Sequence, residues 1–454
     1  MAPHDGGRLG AWILWIAVFL GGCGIAWLIP PFQSPDENAH LGRAALIADG
    51  RWLLERKDGS DSGGYFDKGL IRFQIAHVPM IEDPRARMTP EARADVEALR
   101  WDRQELFFTP IAGTGYYLPV VYLPQALALW VGDRLDLSVL NSYRLARLMA
   151  LAATLGLLAA ACRVLNPNVL TWALMLLPMT VFQAVSPTLD GLASALAVLT
   201  LALFLRAVEH PAGRTASPAW GLAVALLLLC TSRIHVLPLL ALPFYLAWRR
   251  RSWRECALAA LLLMACVGWV LFTLRTTVDT RIAREHSTTF LVGHYLRAPW
   301  EFVQVIWRTV TDPGIREFYL QSFIGKLGWL DTLLAPRAYT WLWAGLGACA
   351  VASLSVVTLR QDAGARAMLL LASVGSVALV FFALLVTWNA HPAATIQGVQ
   401  GRYFLVPAMT AAAALSGTAA PRTWSPWWRS TPLLLAFATV ALWSLVAALL
   451  LRYH

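Results

Sequence analysis

Tyr116–Val131 reads YYLPVVYLPQALALWV, and whether this stretch crosses a bilayer decides the topology of everything after it. It is apolar, but it falls short of the roughly 20 residues a spanning helix needs, and it carries Pro119 and Pro124. Loop charge arbitrates. If the stretch does not cross, the short loops holding Arg8, Arg163, Arg206, Arg214, Arg249, Arg250, Arg251, Arg254, Arg360, Arg366, Arg422 and Arg429 share one side. Those twelve arginines face only Arg134, Arg233, Arg402 and Arg452 opposite. The positive-inside rule then makes the first side cytoplasmic. A crossing would export Arg249-Arg250-Arg251, so the stretch is expected to be a re-entrant or surface-lying helix.

The chain around it has 454 residues, 58% apolar and 14% charged, against about 25% charged in a soluble domain. That composition requires lipid as the solvent for most of the surface and predicts an all-α polytopic membrane protein. Eleven apolar segments are expected to span: 11–29, 142–162, 168–184, 187–206, 218–232, 235–248, 255–275, 341–359, 367–389, 403–420 and 431–451. The chain divides into a first transmembrane helix (1–29), a first outer loop with surface helices (30–141), spans two to seven (142–275), a second outer loop (276–340) and the last four spans (341–454). The N-terminus is expected inside and the C-terminus outside. Sixteen of the 27 acidic residues fall in 30–141 and six in 276–340, so carboxylate chemistry is expected on the extracytoplasmic face.

Several classes are excluded. The net charge of +10 is scattered along the chain and gives no nucleic-acid patch. The six cysteines lie in or beside apolar segments without CxxC spacing, so neither disulfides nor zinc are indicated. No Walker-type or metal-ligand pattern occurs, so no cofactor is expected and a divalent metal has no sequence support. No internal repeat of the kind many transporters carry stands out.

Three constellations can carry chemistry. In Pro30–His40, PPFQSPDENAH, Ser34 and Glu37 have capping-box spacing with Pro35 at the first helical position, which gives Glu37 a structural role. Asp36 is outside the box, and on such a helix it projects from the same face as His40. A carboxylate beside an imidazole at the membrane boundary can take a proton from a hydroxyl. In Ile396–Pro407, IQGVQGRYFLVP, Arg402 either snorkels to headgroups or forms, with Gln400, Tyr403 and the glycines, a fork for phosphate. In Tyr319–Asp331, YLQSFIGKLGWLD, Lys326 either anchors an aromatic belt or neutralises a lipid-borne phosphate. Weaker signals are Arg233 and His235 in TSRIH, Asp190 at the start of a span, and His77, His294 and His391.

Four motifs in order, PPFQSPDENAH (30–40), GYYLPVVYLPQALA (115–128), SFIGKLGWLDTLL (322–334) and QGVQGRYFLVP (397–407), give the chain a resemblance over nearly its whole length. It resembles a bacterial domain-of-unknown-function family, DUF2142, related to the GT-C superfamily of membrane glycosyltransferases. The resemblance implies a GT-C-like bundle around a cavity opening outward, with surface helices of the first outer loop as its lid. It implies a sugar donor carried on polyprenyl phosphate or diphosphate, and a catalytic acid in the first outer loop at the positions of Asp36 and Glu37. It leaves open which of those two is the base. His40 is counted with them as catalytic; Arg402, Tyr403, Lys326, Arg233, His235, His77 and Gln400 are expected to bind lipid phosphate or sugar. That role rests on residue type and position.

The expected activity is inverting transfer of a sugar from a polyprenyl-phosphate-linked donor to a cell-envelope glycan or lipid-linked acceptor, at the bacterial inner membrane. A flippase or carrier, and a ligase or polymerase of lipid-linked saccharides, are the alternatives.

Overall fold

The structure is a computed structural model that describes residues 5–209, 217–282, 285–354, 360, 362–415 and 427–454. The expected span ends 355–359 and 416–420, together with Arg214 and Arg422, lie outside these residues.

Helices dominate because apolar residues run continuously and a backbone in lipid must satisfy its polar groups within its own segment. Among the described residues, five unbroken helices are long and apolar enough to cross: Val139–Val164, Asp190–Glu209, Trp253–Thr276, Ala363–Trp388 and Thr431–Tyr453. Their burial differs with position. The apolar window of Asp190–Glu209 is 78% buried, which puts this helix at the centre, whereas that of Trp253–Thr276 is 22% buried and faces outward. Trp12, Leu14, Leu20, Met264, Leu271, Val374 and Trp443 are exposed on outward faces, an apolar surface that fits lipid.

Other expected spans are interrupted. Segment 168–184 divides into Val169–Met175 and Pro178–Ala184, where Pro178 supplies no N–H to the preceding turn. Segment 235–248 opens as a 3₁₀ turn, Ile234–Leu240, and continues as Ala241–Arg250. Segment 403–420 is preceded by the 3₁₀ turn Gly401–Phe404 before Leu405–Leu415 begins. The turn starting at Ile234 leaves Arg233 just before it, and the turn at Gly401 contains Arg402. Broken backbone at such depth is tolerated where protein buries it, and here it directs polar side chains inward.

The stretch from Tyr116 is a 3₁₀ turn, Pro119–Tyr122, followed by the helix Leu123–Arg134. Its 12 residues reach about 18 Å, too short to cross. This helix packs against Val139–Val164, with Gly132 so close to Ser142 that a Cβ would lie 2.3 Å from its hydroxyl. It also lies against Glu37–Ala48, and Phe32, Leu41, Phe73, Tyr122 and Tyr143 form the apolar core beneath it. The antiparallel strand pair Gly63–Asp67 and Leu106–Pro110 packs on this layer through Phe66.

Charge collects at the two ends of the bundle. Arg206–Glu209, Arg249–Asp362 and Arg250–Glu255 pair at one end. At the other, Asp190 opens its helix, Arg233 follows Ser217–Ser232, and Thr276 closes Trp253–Thr276.

Candidate functional site

The turn Ser34–Glu37 builds the site. The Glu37–Ala48 helix starts at Glu37 and not at Pro35, because Asp36 sits in the left-handed region at φ 62°. Half of the expected capping box forms: the Ser34 amide donates to the Glu37 carboxylate at 2.9 Å. The Ser34 hydroxyl turns away and donates to Gln183 at 3.3 Å.

The two adjacent acids part company. Glu37 is fully buried; the Tyr143 hydroxyl donates to it, and Arg147 approaches at 3.3 Å. Asp36 projects the other way with its side chain 56% exposed, and Arg402, only 4% exposed, donates to it at 3.1 Å. Arg402 also reaches Asp190 at 3.4 Å, and Asp190 in turn pairs with Arg233. Two carboxylates and two guanidiniums thus alternate, with one carboxylate at the open end.

Gly401 makes this placement possible. A Cβ there would lie 2.1 Å from the Phe323 amide nitrogen, so only glycine lets the chain pass, and the Gly401 amide donates to the Ser322 hydroxyl at 2.9 Å. Trp329, from the same SFIGKLGW motif, donates its indole N–H to the Phe32 carbonyl at 2.8 Å. With Tyr122 of the second motif hydrogen-bonded to His40, all four sequence motifs meet around one turn.

Aromatic rings line the cluster. Arg233 lies over Tyr117 at 5.4 Å from the ring centre, and Arg402 over Tyr403 at 5.5 Å. His40 stacks on Tyr117 and shares a 2.8 Å hydrogen bond with the Tyr122 hydroxyl. Burial, together with the positive charge of Arg233, lowers the His40 pKa to about 4. The imidazole is therefore neutral near pH 7 and is not the counter-ion of Asp36. This corrects the expected pairing of Asp36 with His40 along one helix face; Arg402 is the partner.

The other expected ligands divide, Gln400 and His235 beside the cluster and Lys326 and His77 away from it. Gln400 precedes the 3₁₀ turn with its side-chain carbonyl buried and without a hydrogen-bond partner among the described residues, while His235 lies against the Tyr403 ring. Lys326 points over the Phe318 ring at 4.9 Å and forms no ion pair among the described residues, so it does not join the cluster. His77 bonds the Phe73 carbonyl at 2.7 Å and packs on Phe32 and Phe73, a core role. Burial lowers its pKa to about 4 as well.

Those two histidines fix a pH response. Each titrates near 4 when folded and near 6.5 when unfolded, so the unfolded chain binds more protons between these values. Stability contributed by the neutral rings is complete above about pH 6.5 and is lost as pH falls toward 4, at a limiting slope of about 1.4 kcal/mol per pH unit for each ring. Unfolding measured in detergent across this window should be shallower in His77→Gln by one ring's share; an unchanged slope refutes the assignment.

Sequence reading passed over Tyr117, Tyr122, Tyr143 and Arg147 and gave Asp190 little weight. An ionisable residue inside an apolar segment was the available signal for Arg147 and Asp190.

A multi-spanning helical bundle, with a charge-paired polar site where the chain leaves its first helix, defines a polytopic membrane protein. The chain belongs to DUF2142, a family of predicted membrane proteins whose model matches residues 19–411. Among solved structures, that of ArnT from Cupriavidus metallidurans bound to undecaprenyl phosphate is similar over 98% of this chain and 72% of that chain, at 15% identity and a TM-score of 0.38. No curated protein matches the sequence.

Proposed function

We propose that this protein is an inverting glycosyltransferase that moves a sugar from a polyprenyl-phosphate-linked donor to a cell-envelope acceptor, on the extracytoplasmic face of the bacterial inner membrane. One observation carries the reading: Asp36 is a partly open carboxylate held 3.1 Å from a buried guanidinium. A base and a cation in contact are what such a transfer uses.

Asp36 takes the proton of an acceptor hydroxyl, and the oxygen attacks the anomeric carbon. The carbon–oxygen bond to the lipid phosphate breaks, and its electron pair leaves with the phosphate. Arg402 is placed to meet that charge. Its Nε is buried without a partner among the described residues, and a donor in a water-poor site stabilises developing charge by about 3 kcal/mol. Arg233 holds Asp190, which in turn holds Arg402, so the fork is oriented before substrate arrives.

The test is transfer by purified protein in nanodiscs supplied with radiolabelled polyprenyl-phosphate sugars. The expected result is one lipid phosphate released per sugar transferred, with inverted anomeric configuration. Absence of transfer from every mono- and diphosphate-linked donor, with lipid-linked saccharide crossing proteoliposome membranes instead, replaces the enzyme with a carrier.

A further inference from the structure

The second outer loop contains a hairpin of two short helices, Thr288–Arg297 and Pro299–Thr311, which the proposed reaction does not use. At 13 residues the second reaches about 20 Å and cannot span. Its residues sort into three sectors. Phe302, Val305 and Ile306 pack inward in one cluster with Val380, Phe381 and Leu385, near the end of the spanning helix Ala363–Trp388, and Thr309 is buried on the same side, accepting from the Ile396 amide at 2.9 Å. Trp300, Val303 and Trp307 form an outward apolar stripe, exposed by 68%, 47% and 67%. Glu301, Gln304 and Arg308 make the polar remainder.

Beside the polar sector lies a groove of about 370 Å³ lined by Thr289, Phe290, Gly293, His294, Arg297 and Ala298. Its cation is unspent: Arg297 makes no ion pair among the described residues, while His294 binds Glu301 at 2.8 Å. His286 and His391 close in on this end, with ring centres 5.7 Å apart and His391 4.7 Å from His294. Among the described residues no group of three His, Cys, Asp or Glu is placed to hold a metal ion, and the Tyr295 hydroxyl and His391 share a hydrogen bond at 3.2 Å.

We propose that this hairpin is a binding site for an anionic phospholipid of the outer leaflet, its stripe in the acyl region and its groove around the headgroup phosphate. Three observations choose lipid as the occupant. The stripe lies on the face of its helix opposite the residues that pack with Val380, Phe381 and Leu385 of the spanning helix Ala363–Trp388. Tryptophans a helical turn or two apart, beside arginine, are the chemistry of the membrane interface. The Arg297 guanidinium, which lines the groove and makes no ion pair among the described residues, offers hydrogen-bond donors to phosphate oxygens. The proposal rests on the membrane location of the chain and not on the glycosyltransferase reading.

Two measurements on the full chain test it. A nitroxide on Val303→Cys, in a Cys256→Ser background that removes the exposed cysteine, is read in nanodiscs by collision with oxygen and with a water-soluble nickel chelate; a label on Glu97→Cys in the first outer loop is the aqueous control. Oxygen is expected to dominate at 303 and nickel at 97. Nickel dominating at both positions overturns the buried stripe. Native mass spectrometry then compares retained phosphatidylglycerol with phosphatidylcholine. Arg297→Ala is expected to reduce phosphatidylglycerol retention about fivefold, the effect of one basic residue at a charged surface, and to leave phosphatidylcholine unchanged. Equal retention of both lipids by wild type and variant overturns the headgroup site, and displacement of phosphatidylglycerol by millimolar inorganic phosphate assigns the groove to a free anion and overturns the lipid.

Discussion

Asp36→Asn is expected to lower the rate of sugar transfer by about 10²–10⁴-fold, the range supplied by a positioned general base, while the protein stays folded. The substitution keeps shape and keeps an oxygen that can accept from Arg402, but it removes the group that takes the proton. Arg402 retains Asp190 at 3.4 Å, so the buried guanidinium is not stranded. Asp36 itself is more than half exposed, and a pair of this kind contributes only about 0–1 kcal/mol to stability. Rate and fold therefore separate in one variant. Labelled donor lipid measures the first and thermal unfolding in detergent the second. Unchanged transfer by folded Asp36→Asn removes the base from the mechanism.

Arg147→Ala is expected to act on the fold, by about 3–5 kcal/mol, the cost of stripping one member from a buried ion pair. The Arg147 guanidinium donates to the carbonyls of Ala26 at 2.9 Å, Ile29 at 2.6 Å and Pro30 at 3.0 Å, and reaches Glu37 at 3.3 Å. One side chain thus satisfies carbonyls at the end of the Asp5–Leu28 helix and neutralises the acid that starts the next. Without it, three carbonyls lose a donor and the Glu37 charge keeps, among the described residues, the Tyr143 hydroxyl and the Ser34 amide. Glu37→Gln, which removes the charge and keeps a hydrogen-bonding side chain, should cost less. Denaturant unfolding of the three proteins gives the order wild type, Glu37→Gln, Arg147→Ala. A loss below about 1 kcal/mol in Arg147→Ala would show that the pair does not hold this turn.

Part of the site was legible and part was not, for identifiable reasons. Asp36, Arg402, Tyr403 and Arg233 announced themselves as polar residues at the edges of apolar segments, where desolvation makes an ionisable group costly unless it has a partner. Ser34-x-x-Glu37 spacing offered Glu37 a capping role beside the catalytic one implied by the resemblance, and the Ser34 amide donates to its carboxylate. The pairing of Asp36 with His40 was wrong because it assumed helical backbone at Asp36, whereas a left-handed residue turns its side chain out of the helical row. For a related reason Lys326 lies over an aromatic ring, the alternative to its phosphate role, and His77 lies in a core. Residue type tells what a side chain can bind, but packing around Phe318 and Phe73 determines where it points.

Composition, run length and loop charge alone established a helical chain that crosses the membrane several times and a stretch at 116–131 too short and too proline-rich to cross. Those are properties of solvent transfer and hydrogen-bond closure within one segment, and they need no knowledge of neighbours. Only the tertiary structure decided which acid is free and which cation meets it. Asp36 and Arg402 are 366 residues apart in the chain, and their contact exists because a glycine at 401 lets two backbones touch.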